Sequence, residues 1–458
     1  MGCEMNALHT DLYQLTMAAG YFHRGMTDAV GTCRMFVRRL PKQRQYIMAM
    51  GLNRVLDYLE NLNFSDQQVS YLKTLPQLRD AMTPEFSDYL RHDFRFTGDV
   101  WAVPEGTVTF ANEPLVCIRA PIIEAQIVET FLLSVINHAT LIASKAARIV
   151  DVAQGRDLIE MGSRRTHPDA AVDAARAAYC AGFTATSNVE AGFRFGVPLA
   201  GTAAHMWTMA HPSEEEAFAN YLKTFPNACT LLIDTYDTLR GASRAAEIAR
   251  DKLKGVRLDS GDLLALSRAV RTILDSHGCP KARIVASGDL NEYRISELLA
   301  SDAPIDVFGI GTDLVTSVDA PALGGVYKLV ELERDSVVTS VAKFSEGKST
   351  LPGAHQVCRF YDSDGFIKND VIALADEPIN PAGKPLLTPV MQSGTRVMPT
   401  EPLETIRKRA SSSLASLTSD LRSIHEPASS WEKLHVSVSP KLHRLTEETR
   451  IRFQEKHG

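Results

Sequence analysis

The chain has 458 residues, enough for two or three domains, and is 45% hydrophobic and 23% charged, the balance of an ordinary globular protein with a full core. Its formal net charge of −6 gives no global basic field, so nucleic acid is not an expected partner. The seven cysteines are scattered and never spaced Cys-x-x-Cys, which fits reduced thiols and a cytoplasmic location better than a disulfide framework.

The opening MGCEMNALHT has no basic segment followed by an apolar one, so no secretory signal is expected. Asn6 stands where myristoylation needs Ser or Thr. TCRMFVRRLP, DFRFTGDVWAVPEGTVTF and EPLVCIRAP read as strands, with helices GLNRVLDYLENL and SDQQVSYLKTL between them. This is an α+β layer. PIIEAQIVETFLLSVINHATLIASKA follows, carrying Glu124, Glu129, His138 and Lys145. It reads as a buried helix, because a membrane span needs about 20 mainly apolar residues.

The middle of the chain has a different rhythm. Short apolar runs each end in a polar or glycine-rich signature: DLIEMGSRR, AGFTATSN, PLAGTAAH, CTLLIDTYDT, GVRLDSGD, ARIVASGDL and IDVFGIGTDL. Helical patterns RGASRAAEIARDKL, DLLALSRAVRTILDSHG and LNEYRISELLAS separate the later ones. In the second, Leu263, Leu266, Val270, Ile273 and Leu274 recur at helical spacing, with Asp262 at the N-cap position and Gly278 past the end. Strands alternating with helices predict a parallel sheet, and in barrels of such units the site forms at the C-terminal strand ends. The close spacing of the runs predicts an irregular, incomplete α/β barrel. We place it at 136–344, with an α+β sandwich domain at 1–135 completed by 345–458. The last part carries strand-like QVCRFYDSDGFIKNDVIAL, Pro-rich PINPAGKPLLTPV and a terminal charged helix, SPKLHRLTEETRIRFQEKHG.

Two nucleotide motifs fail. Gly347-Lys348-Ser349 ends like a P-loop, but Ala342 occupies the first glycine position. GIGTDL begins like a dinucleotide fingerprint, but Leu314 stands where the last glycine belongs.

The strand ends nevertheless suit one kind of ligand. Arg164 and Arg165 offer planar forks for phosphate oxygens. Gly309, Gly311 and Thr312 precede a turn whose N–H groups could cradle a phosphate. Arg257 stands beside Asp259 and Asp262, and Asp289 follows Gly288. Carboxylates there suit ribose hydroxyls or a magnesium-bound diphosphate. The inferred ligand is a phosphorylated sugar with a second phosphate group, although each Arg–Asp pair read singly also fits a structural salt bridge. His205 and His211, six apart, lack the i, i+4 spacing of a helical zinc pair. Residue chemistry alone leaves His205 either a satisfied core histidine or a neutral imidazole acting as base or nucleophile.

The ordered set TDLYQLTM, MGSRRTHP, GFTATSN, GTAAH, RLDSGDL, SGDL and FGIGTDLVTS, followed by KFSEGKSTLPGAHQVCR, resembles nicotinate phosphoribosyltransferases across residues 8–372. The resemblance implies the fold of type II phosphoribosyltransferases, a homodimer with shared active sites, and formation of nicotinate mononucleotide from nicotinate and phosphoribosyl diphosphate. It also implies magnesium and coupling to ATP. On that footing His205 is the residue ATP phosphorylates, and Arg164 and Arg257 hold diphosphate or the nicotinate carboxylate. Asp259 and Asp289 face the ribose beside Gly288, Gly309, Gly311 and Thr312 hold the 5′-phosphate, and Tyr13 stacks on the pyridine from the second subunit. Ser187 stands where related nicotinamide-using enzymes tend to carry a carboxylate. Met161 stands where the family often has an aromatic ring wall, so looser stacking is expected. No magnesium ligand is assigned. The alternatives are transfer to nicotinamide or quinolinate, or a non-catalytic nucleotide-sensing homologue.

Overall fold

The computed structural model describes residues 6–378, 380–425 and 435–457. It divides into two compact units, one made of residues 1–141 with 322–458 and the other of residues 142–321.

The second unit is built on six parallel strands: β1 (Asp157–Glu160), β2 (Ala185–Thr186), β3 (Thr230–Leu232), β4 (Gly255–Leu258), β5 (Arg283–Ala286) and β6 (Val307–Ile310). Their order is β2-β1-β6-β5-β4-β3. The first and last strands therefore lie side by side, as they must when a parallel sheet curls into a ring. Closure is incomplete. PLAGTAAH, expected as a full strand, contributes one parallel bridge from Leu199 to Thr186. Thr186 donates its N–H to the Pro198 carbonyl and Ala200 donates to the Thr186 carbonyl. Pro198 has no N–H of its own to extend the ladder. Among the described residues no pairing joins Leu199 to β3, so the ring is open there.

The crossovers are helices Pro168–Ala181, Thr238–Ala249, Leu263–Ser276 and Glu292–Ala300. The last three start on short polar side chains, whereas the first has His167 at its N-cap with no side-chain cap bond. Asp237, Asp262 and Asn291 each accept from backbone N–H groups of the first turn. The Leu263–Ser276 helix buries Leu263, Val270 and Leu274, as its spacing predicts, and Gly278 beyond it has φ +73°.

The first unit holds a seven-stranded antiparallel sheet in the order Val337–Ser340, Gly325–Arg334, Val30–Val37, Pro114–Pro121, Asp99–Ala102, Thr388–Gln392, Thr395–Arg396. A four-stranded sheet runs Lys384–Pro385, His355–Tyr361, Ile367–Leu374, His435–Val438. The second change of unit lies at 321/322 and not near 344. Gly325–Arg334 pairs along Val30–Val37 from Val37↔Gly325 to Val30↔Glu333, so this strand belongs with the N-terminal layer. The apolar stretch after Pro121 forms two helices, Ile122–Ile127 and Glu129–Val152, and among the described residues no helix is long and apolar enough to cross a membrane. The charged terminal segment is the helix Pro440–His457.

Candidate active site

The C-terminal ends of β4 and β5 carry a tight polar network. Arg257 faces out of β4 and donates three ways: Nε to Ser287 Oγ at 2.8 Å, one terminal nitrogen to Thr202 Oγ1 at 3.0 Å and the other to Asp259 Oδ1 at 2.6 Å. Ser287 Oγ in turn donates to Asp259 Oδ1 at 2.5 Å. Burial alone would push the Asp259 carboxyl up. The Ser287 hydrogen bond and the Arg257 guanidinium outweigh it and hold the group below its ordinary value. Asp259 is thus kept ionised at neutral pH.

Two backbone approaches make this network possible. Gly288 has φ +92°, and a Cβ there would lie 2.3 Å from the Asp259 carbonyl oxygen. Only glycine lets the β4 and β5 ends come so close. Asp289 follows, also at positive φ (+46°), with its carboxylate exposed. A Cβ on Gly309 of β6 would meet Met161 Sδ at 2.7 Å and Ser287 Cβ at 3.3 Å. The Met161 thioether therefore packs against the bare Gly309 backbone, near Ser287.

The loop after β1 is braced from below. Buried Glu160 takes the Gly162 N–H on one carboxylate oxygen and the Thr186 hydroxyl on the other, the latter at 2.5 Å. Burial raises its pKa against those two bonds. Ser163 accepts from Asn188 Nδ2 at 3.0 Å. The Arg164 and Ser187 segments are thus tied together. Arg164 and Arg165 themselves are exposed, and among the described residues neither guanidinium has a hydrogen bond or ion pair. Asn188, not Ser187, caps the Val189–Phe195 helix by accepting from Ala191. The Ser187 hydroxyl makes no hydrogen bond among the described residues. Gly311 is the N-cap of Thr312–Val315.

His205 opens a short helix, His205–Met209, in the chain between the Leu199 bridge and β3. Its Nδ1 is 3.1 Å from Thr235 Oγ1 and its Nε2 is 3.8 Å from Asp259 Oδ2. The ring is part-exposed, so it is open to a reaction partner and not sealed in a core. His211 behaves differently. Its Nδ1 donates to the Trp207 carbonyl at 2.7 Å and its ring packs 4.6 Å from the Trp207 ring. That is a structural role.

The structure thus gathers His205, Arg257, Asp259, Gly288, Met161 and Gly309 at neighbouring strand ends. Tyr13 lies in the other unit, on the helix Leu12–His23, half-exposed between Leu12 and Met17. Its hydroxyl donates to Glu129 at 3.1 Å, and burial together with Glu129 pushes its pKa up to about 12.

Sequence reasoning missed Asp234, Thr202, Thr235, Ser287 and Glu160. Asp234 follows β3, and its Oδ2 accepts from Asp259 N at 2.9 Å and from Ser260 Oγ at 2.7 Å. Its Oδ1 is buried without a hydrogen-bond partner. Asp234 obeys the same rule that found Asp259, a carboxylate just past an apolar run. The hydroxyl residues carry no such signal.

Magnesium favours one or two carboxylates completed by waters and phosphate oxygens. Among the described residues no cluster of three His, Cys, Asp or Glu could hold a metal by itself. The orphaned Oδ1 of Asp234, next to Asp259, fits a metal that arrives with a diphosphate.

The chain matches three family models in succession. They are the nicotinate phosphoribosyltransferase (NAPRTase) N-terminal domain over residues 8–137, the NAPRTase family over 157–350 and the C-terminal domain over 382–446. The last covers the tail in which the sequence shows no recognisable motif. Nicotinate phosphoribosyltransferase pncB2 of Mycobacterium tuberculosis is 44% identical over 446 residues, 96% of this chain and 93% of that protein. The nicotinate phosphoribosyltransferase of Bacillus subtilis is 44% identical over 384 residues, 82% of this chain and 77% of that protein. The crystal structure of human nicotinic acid phosphoribosyltransferase matches with a TM-score of 0.82 at 28% identity, covering 96% of this chain and 99% of that one.

Proposed function

The chain belongs to the nicotinate phosphoribosyltransferase family, and from that premise we propose that it joins nicotinate to 5-phosphoribosyl 1-diphosphate in an ATP-coupled, ligase-type reaction of NAD salvage. The products are nicotinate mononucleotide and diphosphate. The pyridine nitrogen attacks ribosyl C1 as the C1–oxygen bond to diphosphate breaks. C1 becomes cation-like while the leaving group gathers negative charge, and a fixed field that matches both lowers the barrier. Little proton transfer is asked of the protein.

Each residue then has a task. Asp259, held ionised by Ser287 and Arg257, and the exposed Asp289 face the ribose and stabilise the cation. Arg164, Arg165 and Arg257 receive the diphosphate or the nicotinate carboxylate. Gly309, Gly311 and Thr312 receive the 5′-phosphate. Asp234 and Asp259 would hold magnesium, which when bound offsets the charge of the departing diphosphate. Met161 lies on one face of the pyridine. A second copy of the chain brings Tyr13 to the other face, so the working form is a homodimer. Ser187, with its free hydroxyl, donates to the nicotinate carboxylate.

His205 couples ATP to this chemistry. An imidazole nitrogen attacks the γ-phosphorus, the bond to the β-phosphate oxygen breaks and ADP leaves. The phosphohistidine later returns its phosphoryl group to water. The observation that carries this reading is the 3.8 Å separation between His205 Nε2 and Asp259 Oδ2. A phosphoryl group on this ring would change the charge beside the Asp259–Arg257 network, and through it the affinity for substrate and product.

The test is a product assay with nicotinate, nicotinamide and quinolinate, each with and without ATP. Nicotinate mononucleotide should dominate and its formation should rise with ATP. Another pyridine nucleotide as main product, or indifference to ATP, would overturn the corresponding half of the proposal.

A further inference from the structure

We propose that the unit formed by residues 1–141 and 322–458 carries a second ligand site, a cavity of about 630 Å³ that takes a small organic anion with a compact, partly apolar body and a phosphate or carboxylate end. The volume falls in the range of small-molecule sites. The proposal does not depend on the reaction assigned to the other unit.

Among the described residues the lining contains Arg359, Lys384 and Arg409 and no carboxylate. The two arginines are already committed. Arg359 is buried, clasps Asp370 with its Nε 3.0 Å from Oδ1 and a terminal nitrogen 2.6 Å from Oδ2, and donates to the Val108 carbonyl at 2.8 Å. Arg409 pairs with Glu401 and donates to the Glu105 carbonyl at 2.8 Å. They fix the cavity wall and contribute little free charge. Lys384 is different. Its ammonium sits 5.1 Å from the Tyr361 ring centroid and has no carboxylate partner among the described residues. A ring face attracts a cation but leaves its N–H donors unused. Two more polar groups are unspent, since the hydroxyls of Thr107 and Ser412, both in the lining, make no hydrogen bond among the described residues. The remaining wall includes proline, leucine and alanine side chains. One free cation, two free hydroxyls and apolar walls form the usual recognition set for an amphiphilic anion.

The full-length protein should be titrated with AMP and with benzoate, and with adenosine and benzamide as their uncharged counterparts, by ligand-observed NMR. The same titrations follow for Lys384→Glu and Ser412→Asp. Both positions are exposed, and thermal melts should show unchanged folding. At least one anion should bind more tightly than its uncharged counterpart and lose tenfold or more in affinity in both variants. Turnover without added anion should stay at the wild-type rate. AMP held at the catalytic unit would be insensitive to both substitutions. If neither anion loses affinity in the variants, the site does not exist.

Discussion

Replacing Ser287 by alanine isolates the contribution of one oxygen atom. Ser287 is 3% exposed, donates to Asp259 Oδ1 at 2.5 Å and accepts from Arg257 Nε at 2.8 Å. The direct Arg257–Asp259 bond at 2.6 Å survives the change, so the geometry is loosened and not abolished. A hydrogen bond to a charged group contributes about 1.5–3 kcal/mol. If the Asp259 side of that contribution is spent in the transition state, kcat/KM should fall roughly 10- to 150-fold. The pH profile adds a second readout. Ser287 favours the charged form of Asp259, so its loss leaves burial to raise the carboxyl. The acid limb of kcat/KM should therefore move to higher pH, with the alkaline limb unmoved. Initial rates of nicotinate mononucleotide formation from about pH 3 to 9 would show both effects. Wild-type kcat/KM, or a slower enzyme whose acid limb has not moved, would refute the role given to this network.

Four further outcomes are expected. γ-Labelled ATP should give an acid-labile, base-stable phosphoprotein that His205→Ala cannot form; label persisting in that variant, or found on His211, would remove the assignment. Tyr13→Ala and Arg257→Ala should each be nearly inactive, yet regain activity when refolded together, because one interface of the mixed dimer holds both intact residues; mixed dimers without activity would show that Tyr13 does not act in trans. Ser187→Asp should lower the nicotinate to nicotinamide ratio of kcat/KM by about 1–3 kcal/mol, roughly 5- to 150-fold, since a carboxylate repels nicotinate and accepts from an amide; an unchanged ratio would take Ser187 out of the substrate site. Burial pushes the Glu124 carboxyl up to about 7, against hydrogen bonds from Thr97. A raised folded-state pKa favours the protonated form, so wild-type stability should decline as pH rises from the ordinary carboxylate range to about 7 and then level off. Glu124→Gln, uncharged throughout, should remove that decline in urea midpoints, and an identical pH slope in the variant would rule Glu124 out as its source.

The parts of the fold legible in the sequence are those fixed by local pattern. The apolar period of Leu263–Ser276 and its Asp262 cap needed no tertiary information, and each of β1 to β6 sits under an apolar run. PLAGTAAH has the same composition but not the same outcome, because strand extent depends on which N–H groups face a neighbour, and Pro198 has none to offer. The placement of Gly325–Arg334 was invisible for a related reason. Its pairing with Val30–Val37 is a contact across most of the chain, and nothing local to either segment records it. In the site, charged residues and glycines announced themselves, whereas Ser287 and Thr202 did not. Serine and threonine are too common in loops for a single hydroxyl to be read as functional before its partners are known. Ser187 shows the reverse case. A serine at the head of a helical pattern suits a cap, yet Asn188 holds this helix.

The insertion of residues 142–321 into the other unit has a consequence for synthesis on the ribosome. Val30–Val37 can pair with Pro114–Pro121 early, but its other edge waits for Gly325–Arg334. Roughly 290 residues separate the two, so at about 5–20 residues per second the edge stays open for roughly 15–60 s. The parallel ring, contiguous in the chain, can complete itself within that interval. A nascent chain of this kind exposes one long, unpaired, mostly apolar strand edge for tens of seconds, during which a neighbouring chain on the same message presents a complementary edge. The order of translation, more than the final stability, then decides whether that strand meets its own partner or another chain's.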